Sequence, residues 1–254
     1  MSETRPLLSV EAVTQSYREG GFLFPRQRPV LRGVSFSIRE GESVALLAPS
    51  GEGKSTLSRI LLGLEAPASG RVLFEGLPLP LWRKQNPGGL SAVFQDSAAA
   101  VDPRWTIRRI VTEPLAILGR ETGGAVPADL LEAVGLPTSF ADRYPHELSG
   151  GQLQRVCLAR ALSTRPRFAV FDEAVSSLDV AAQSRILALL KELSQGMAFL
   201  FITHDIEAAA SLCHRILFME GGVIAEDIET ARLKKAKSAI ARRLLDSVLL
   251  FRLS

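Results

Sequence analysis

Cysteine is scarce in this chain of 254 residues: Cys157 and Cys213 stand far apart, with no close-spaced Cys or His partner. That argues against a disulfide framework or a zinc site and makes a reducing compartment the expectation. Both thiols read as small buried apolar side chains. Also missing is any run of about 18 apolar residues, so no segment reads as a membrane span. The N-terminal MSETRPLLSVEAV has no basic stretch followed by an apolar one, so no secretory signal is expected. There is no long basic block in the body of the chain, and 30 bases are interspersed with 27 acids for a net charge of +3. A pI of about 9.1 therefore does not point to nucleic acid. What remains, 46% hydrophobic and 22% charged residues, describes a globular chain able to bury a substantial core. Any link to a membrane must come through a partner.

Strand-like alternation covers Leu7–Tyr17 and Val30–Ile38, with GGFLFPRQRP between them as a loop. Ser43–Ala48 is a short apolar run, followed by a glycine loop and a helical stretch over Thr56–Leu64. Further strands are predicted at Arg71–Phe74 and Leu90–Phe94. From Asp96 to about Leu162 the chain is helix-biased, broken at Pro103, Pro114, Gly123–Gly124, Pro137 and Pro145. An α/β rhythm then resumes: strand Phe168–Phe171, helix Val180–Leu193, strand Ala198–Ile202 and helix Ile206–Cys213. A strand at Ile216–Met219 turns at Gly221–Gly222 into Val223–Ala225. This alternation predicts an open, mostly parallel α/β core with a helical insertion.

Three short strings carry the chemistry. LLAPSGEGKST, Leu46 to Thr56, follows a strand and opens a helix, the context in which G-x-x-x-x-G-K-[ST] binds phosphate. Small residues at Ser50, Gly51 and Gly53 let backbone N–H groups wrap around oxygens at a helix start. Pro49, Glu52 and Thr56 complete the stretch. Lys54 supplies a charge for the β and γ phosphates, and Ser55 a hydroxyl for Mg²⁺. The opening position is Ala48 where the pattern has glycine, a departure tolerated if its φ is negative. Phe168-Ala-Val-Phe-Asp-Glu173 is an apolar run ending in two acids, as in a doubly covered parallel strand whose carboxyl end faces a ligand. Asp172 is the candidate for holding Mg²⁺ and Glu173 for polarising the attacking water. Leu148-Ser-Gly-Gly-Gln152 places Ser149, Gly150, Gly151 and Gln152 at a second helix start suited to anions. Two phosphate-gripping motifs and one set of acids suggest a site shared between protomers, the loop of one opposing the second motif of the other.

With these strings in order, the chain from about Leu7 to Glu226 resembles the ATP-binding-cassette ATPases, whose signature is LSGGQ. The resemblance implies a P-loop NTPase core, a mostly parallel sheet flanked by helices, with an antiparallel β subdomain and a helical signature subdomain over about 96–162. It implies ATP and Mg²⁺ as cofactors and an ATPase domain spanning 7–229. It assigns Tyr17 to stacking on adenine and His204 to the switch that contacts the γ-phosphate. Gln95 matches the glutamine that senses the γ-phosphate side and joins Ser55 and Asp172 as a metal-site residue. Ser176-Ser-Leu-Asp179 matches the loop that communicates across the dimer, and Asp179 is counted with the nucleotide-binding residues. Lys54, Glu173 and His204 are the catalytic set; His146 and His214 read as structural.

FQDSAAAVDPRWTIRRIVTEPL is similar to the peptide and nickel importer ATPases, and LSGGQLQRVCLARAL with FDEAVSSLD is most similar to the nickel-import branch of that group. No residues here have nickel-ligand spacing, and an energising subunit need not touch the ion. The resemblance implies a head-to-tail dimer with a homologous ATPase subunit, expected as a heterodimer. It also implies two integral membrane permease subunits, an extracytoplasmic substrate-binding protein and no nucleic acid. The place implied is the cytoplasmic side of the inner membrane, held peripherally. Import of di- or oligopeptides stays open, as does the rival of another class, a soluble cassette ATPase acting on DNA or ribosomes. Against that rival stand a single set of motifs and the lack of a heptad run. At the end, 230–254 reads as a basic amphipathic helix, with Leu233, Ile240, Leu244, Val248 and Phe251 opposite Lys234, Lys235, Lys237, Arg242 and Arg243. Packing on the chain's own core or on a dimer neighbour is favoured for it over contact with lipid or membrane subunits.

Overall fold

The computed structural model describes residues 5–19, 26–175, 180–193 and 195–252. By its contacts the chain divides into two compact units, 1–85 with 198–254, and 86–197.

In the first unit, β1 (Leu8–Glu19) and β2 (Arg26–Ile38) pair antiparallel, and β4 (Ser69–Phe74) and β5 (Leu77–Pro78) extend them in the order β2-β1-β4-β5. Beside this antiparallel layer, β3 (Ser43–Leu47) lies parallel to both β8 (Ala198–Thr203) and β9 (Arg215–Glu220). Every residue of β3 and β8 is buried, as the unbroken apolar strings SVALL and AFLFIT require of parallel strands covered on both faces. β10 (Val223–Glu229) pairs antiparallel to β9 with alternating exposure and ends the sheet. Helices α1 (Lys54–Leu61), α2 (Leu79–Gln85) and α7 (Ile206–Leu212) belong to this unit. The sequence pattern does not single out α2. It is short and holds Pro80, and Trp82 anchors it by stacking on Phe74 at 4.8 Å and donating to the Glu75 carboxylate at 2.7 Å.

The C-terminal segment corrects one expectation. Among the described residues the segment from Thr230 onward does not form a single helix: a 3-10 turn over Thr230–Lys235 precedes α8 (Ala239–Arg252), and Ala236 between them is extended with ψ 140°. Glu226 on β10 causes the break, its carboxylate accepting the backbone N–H of Lys237 at 2.9 Å and of Ser238 at 2.8 Å. An acid that takes two orphan donors sets a fresh helix start. Ile240 and Ala241 are buried, and α8 packs on β9 and α7 of its own unit.

The second unit holds the parallel pair β6 (Leu90–Val93) and β7 (Phe168–Asp172). Its helices are α3 (Ile107–Ile117), α4 (Val126–Ala133), α5 (Gly150–Leu162) and α6 (Val180–Leu193). α3, α4 and α5 pack on one another as the expected helical insertion. Cys157 and Cys213 are both buried. Burial pushes the Cys157 thiol up to about 11 and Cys213 further still, so both stay protonated and unreactive.

Candidate nucleotide site

The glycine loop leaves the carboxyl end of β3 and enters α1 through Gly53, which takes a left-handed φ of 98° at the helix N-cap. Gly51 has φ 83°. Pro49, Ser50, Gly51 and Ser55 are exposed, whereas Ala48 and Lys54 are buried. Lys54 turns back over the loop, its ammonium donating to the Ala48 carbonyl at 2.7 Å and the Pro49 carbonyl at 3.1 Å. The positive charge is thus held beside the loop backbone that precedes the helix start, an arrangement suited to a polyphosphate. Glu52 faces elsewhere, accepting the Gly222 N–H at 3.3 Å.

Ala48, the residue that breaks the glycine pattern, is not among the described non-glycine residues with positive φ. Its methyl therefore carries no left-handed strain, and glycine there would lose a buried methyl and add freedom to the unfolded chain. We expect Ala48→Gly to lower stability by roughly 0.5–1 kcal/mol and to leave ATPase activity within about twofold of wild type. Thermal denaturation and steady-state phosphate release check both. A sharp rise in ATPase activity would show that the methyl obstructs the loop.

The register of β3 with β8 pairs Leu47 with Thr203, so Ala48 and His204 leave neighbouring strand ends side by side. His204 is exposed between two fixed points. The Thr203 hydroxyl accepts the Asp205 N–H at 3.1 Å, and Asp205 caps α7 by accepting from Glu207 and Ala208 at 2.8 and 3.0 Å. His214, expected as structural, ties the foot of β3, its Nδ1 2.6 Å from the Ser43 hydroxyl and accepting the Ser43 N–H at 3.1 Å.

In the second unit, β6 and β7 pair Val93 with Phe171, so Gln95 and Glu173 each lie two residues beyond a paired position at the same end. Asp172 is buried and ends β7; Glu173 is half-buried. Glu173 has φ 49°, a left-handed backbone unusual for a side chain of this size. Gln95 is exposed, and Asp96 after it turns the chain by accepting the Ala98 and Ala99 N–H groups. The signature string opens α5 with a capping box: the Ser149 hydroxyl accepts the Gln152 N–H at 3.4 Å, and the Gln152 side chain accepts the Ser149 N–H at 2.9 Å. Ser149 and Gly150 are exposed, so the helix start faces outward. Asp179, with Ser176 to Leu178, lies outside the described residues.

Tyr17, expected as the adenine platform, is half-buried, and its hydroxyl is held by side chains that the motifs do not include. It donates to the Glu65 carboxylate, 2.8 and 2.9 Å from the two oxygens, and accepts from Arg59 at 2.9 Å. Arg59 and Glu65 flank the end of α1, where sequence patterning gives no sign of a link to β1.

A strand, a glycine-lined turn holding a buried lysine, and a helix start are the elements from which phosphate-binding loops are built. The family model described as ABC transporter matches residues 31–176, and this chain belongs to that family as an ATP-binding cassette. It is 43% identical over 96% of its length to the nickel import ATP-binding protein NikE of Escherichia coli (strain K12), covering 94% of that relative. It is 42% identical to NikE of Rhodospirillum rubrum, over 96% of this chain and 92% of that one. Among solved structures, the dimeric ATP-binding cassette MJ0796 bound to ADP and Pi superposes with a TM-score of 0.76 at 29% identity, over 88% of this chain and 98% of the other. The expected fold class, a mostly parallel α/β core with an antiparallel β subdomain and a helical insertion, agrees with these cassette structures.

Proposed function

We propose that this chain is the ATP-hydrolysing subunit that energises a membrane importer of nickel ions. The observation that carries the reading is the similarity to nickel import ATP-binding proteins over nearly the whole chain, with every cassette motif in order. Lys54 and the N–H groups of Ser50 to Thr56 bind the phosphates, and Ser55, Asp172 and Gln95 would hold Mg²⁺, which would supply charge screening of the phosphates. Glu173 accepts the proton of the attacking water and His204 steadies the γ-phosphate. Ser149, Gly150, Gly151 and Gln152 serve the nucleotide of a second, homologous subunit in a head-to-tail pair, and Asp179 is assigned by resemblance to communication across that pair. The outward-facing start of α5 supports that reading.

Among the described residues no helix is long and apolar enough to cross a membrane. Attachment then runs through two permease subunits on the cytoplasmic face, with substrate delivered by an extracytoplasmic binding protein. Deleting the chain from its host and measuring uptake tests the assignment. Loss of nickel uptake with dipeptide uptake intact is expected. The reverse would make it a peptide importer subunit. Purification without integral membrane partners, together with stimulation by nucleic acid, would move it out of transport.

A further inference from the structure

The hydroxyl of Tyr17 sits at the centre of a side-chain network that joins β1 to the phosphate-binding helix. Gln15 and Tyr17 share one face of β1, as residues two apart must. Both reach Glu65: the Gln15 amide donates to one carboxylate oxygen at 2.5 Å, and Tyr17 donates its only proton to the same carboxylate. With that proton committed, the Tyr17 oxygen can only accept from the Thr56 hydroxyl, 3.2 Å away, as it does from Arg59. Thr56 is buried in the first turn of α1, next to Ser55. Arg59 closes the ring by donating to Glu65 at 3.1 Å. Burial alone would raise the Glu65 carboxyl, but the hydrogen bonds from Tyr17, Arg59 and Gln15 outweigh it and hold the group below its usual range. Arg59 is raised by the same bonds to Tyr17 and Glu65.

We propose that Glu65 and Arg59 are positioning residues for nucleotide binding. They lock the Tyr17 hydroxyl to Thr56 and so hold the aromatic ring at a set place relative to the phosphate loop. The inference rests on Tyr17 facing the adenine, as in the proposed function. A ring held in place before binding loses less freedom when the base arrives, so the gain falls on base-containing ligands alone. Glu65 and Arg59 touch no phosphate in this scheme. A base-free polyphosphate should not register their loss.

The test measures Kd for MgATP and for magnesium tripolyphosphate, which lacks the base, on the full-length chain and four variants. Tyr17→Ala removes the ring, and stacking contributions of this kind predict ATP binding weaker by roughly tenfold or more with tripolyphosphate unchanged. Tyr17→Phe and Glu65→Gln should each weaken ATP by roughly three- to tenfold, the range expected for loss of one ordinary hydrogen bond. Both should leave tripolyphosphate within about twofold, and Tyr17→Phe/Glu65→Gln should be no weaker than either alone. If Tyr17→Ala leaves ATP binding intact, the adenine reading itself falls. If Tyr17→Ala weakens ATP but Tyr17→Phe and Glu65→Gln do not, the platform stands and the anchor is overturned. Equal losses for ATP and tripolyphosphate in Glu65→Gln, or additive losses in the double variant, also overturn it by making the role one of general stability. Tyr17→Phe removes a single atom from a half-buried side chain, so it carries the test if Glu65→Gln does not fold.

Discussion

Glu173→Gln is expected to bind MgATP with near wild-type affinity and to lose 10²- to 10⁴-fold in turnover, roughly the range for removing a general base. The amide keeps the shape and hydrogen-bonding length of the carboxylate but cannot take a proton from water. The backbone sharpens this expectation. Glu173 holds φ 49° directly after the fully buried β7, and Ala174 and Val175 behind it are buried as well. A left-handed non-glycine residue costs about 1–2 kcal/mol, and it persists only where both flanks are pinned. That strain sits on the backbone, which glutamine shares, so the variant should fold as the parent does. Single-turnover and steady-state phosphate release, alongside an ATP titration, separate the two steps. Wild-type turnover would remove Glu173 from the catalytic role. Loss of binding together with turnover would place the residue in ground-state contacts instead.

The parallel strands were legible because their physics is local to the string: SVALL, FAVFD and AFLFIT contain no alternation, and a strand buried on both faces permits none. The glycine loop was legible because its departures from ordinary geometry demand residue types that stand out. Other features depend on residues distant in sequence and leave no such trace. The helix break at 236–238 is set by Glu226 on β10, and nothing between Thr230 and Ser254 announces it. Tyr17 could be picked out by resemblance, but its partners Thr56, Arg59 and Glu65 lie 39 to 48 positions away. The left-handed backbone of Glu173 is likewise invisible in FDEAV, where only a glycine would have advertised it. Ala48 was the opposite case. The letter departs from the pattern, and the backbone there has no need of the missing glycine.

Gly53→Ala is the substitution in the loop with the largest expected cost, for two reasons that can be separated. The first is conformational: φ 98° lies well outside what an alanine adopts without strain. The second is steric, because a Cβ on Gly53 would lie 2.8 Å from Val30 Cγ1, 2.9 Å from Leu31 Cδ2 and 3.1 Å from the Val30 carbonyl. Leu31 is fully buried on β2, so the wall cannot simply yield. Strain and overpacking together amount to about 2–4 kcal/mol. The chain can relieve them only by moving the N-cap of α1, which displaces Lys54, Ser55 and the N–H groups proposed to meet phosphate. Loss of MgATP affinity on the order of 100-fold follows from that displacement. Gly51→Ala provides the contrast: φ there is 83°, but a Cβ would meet nothing within 4 Å. It carries the conformational cost without the steric one, so its loss should be about tenfold smaller. Isothermal titration of both variants with MgATP decides the matter. Equal losses would assign the whole effect to backbone conformation, and wild-type binding by Gly53→Ala would mean that the approach of β2 to the loop does not shape the phosphate cradle.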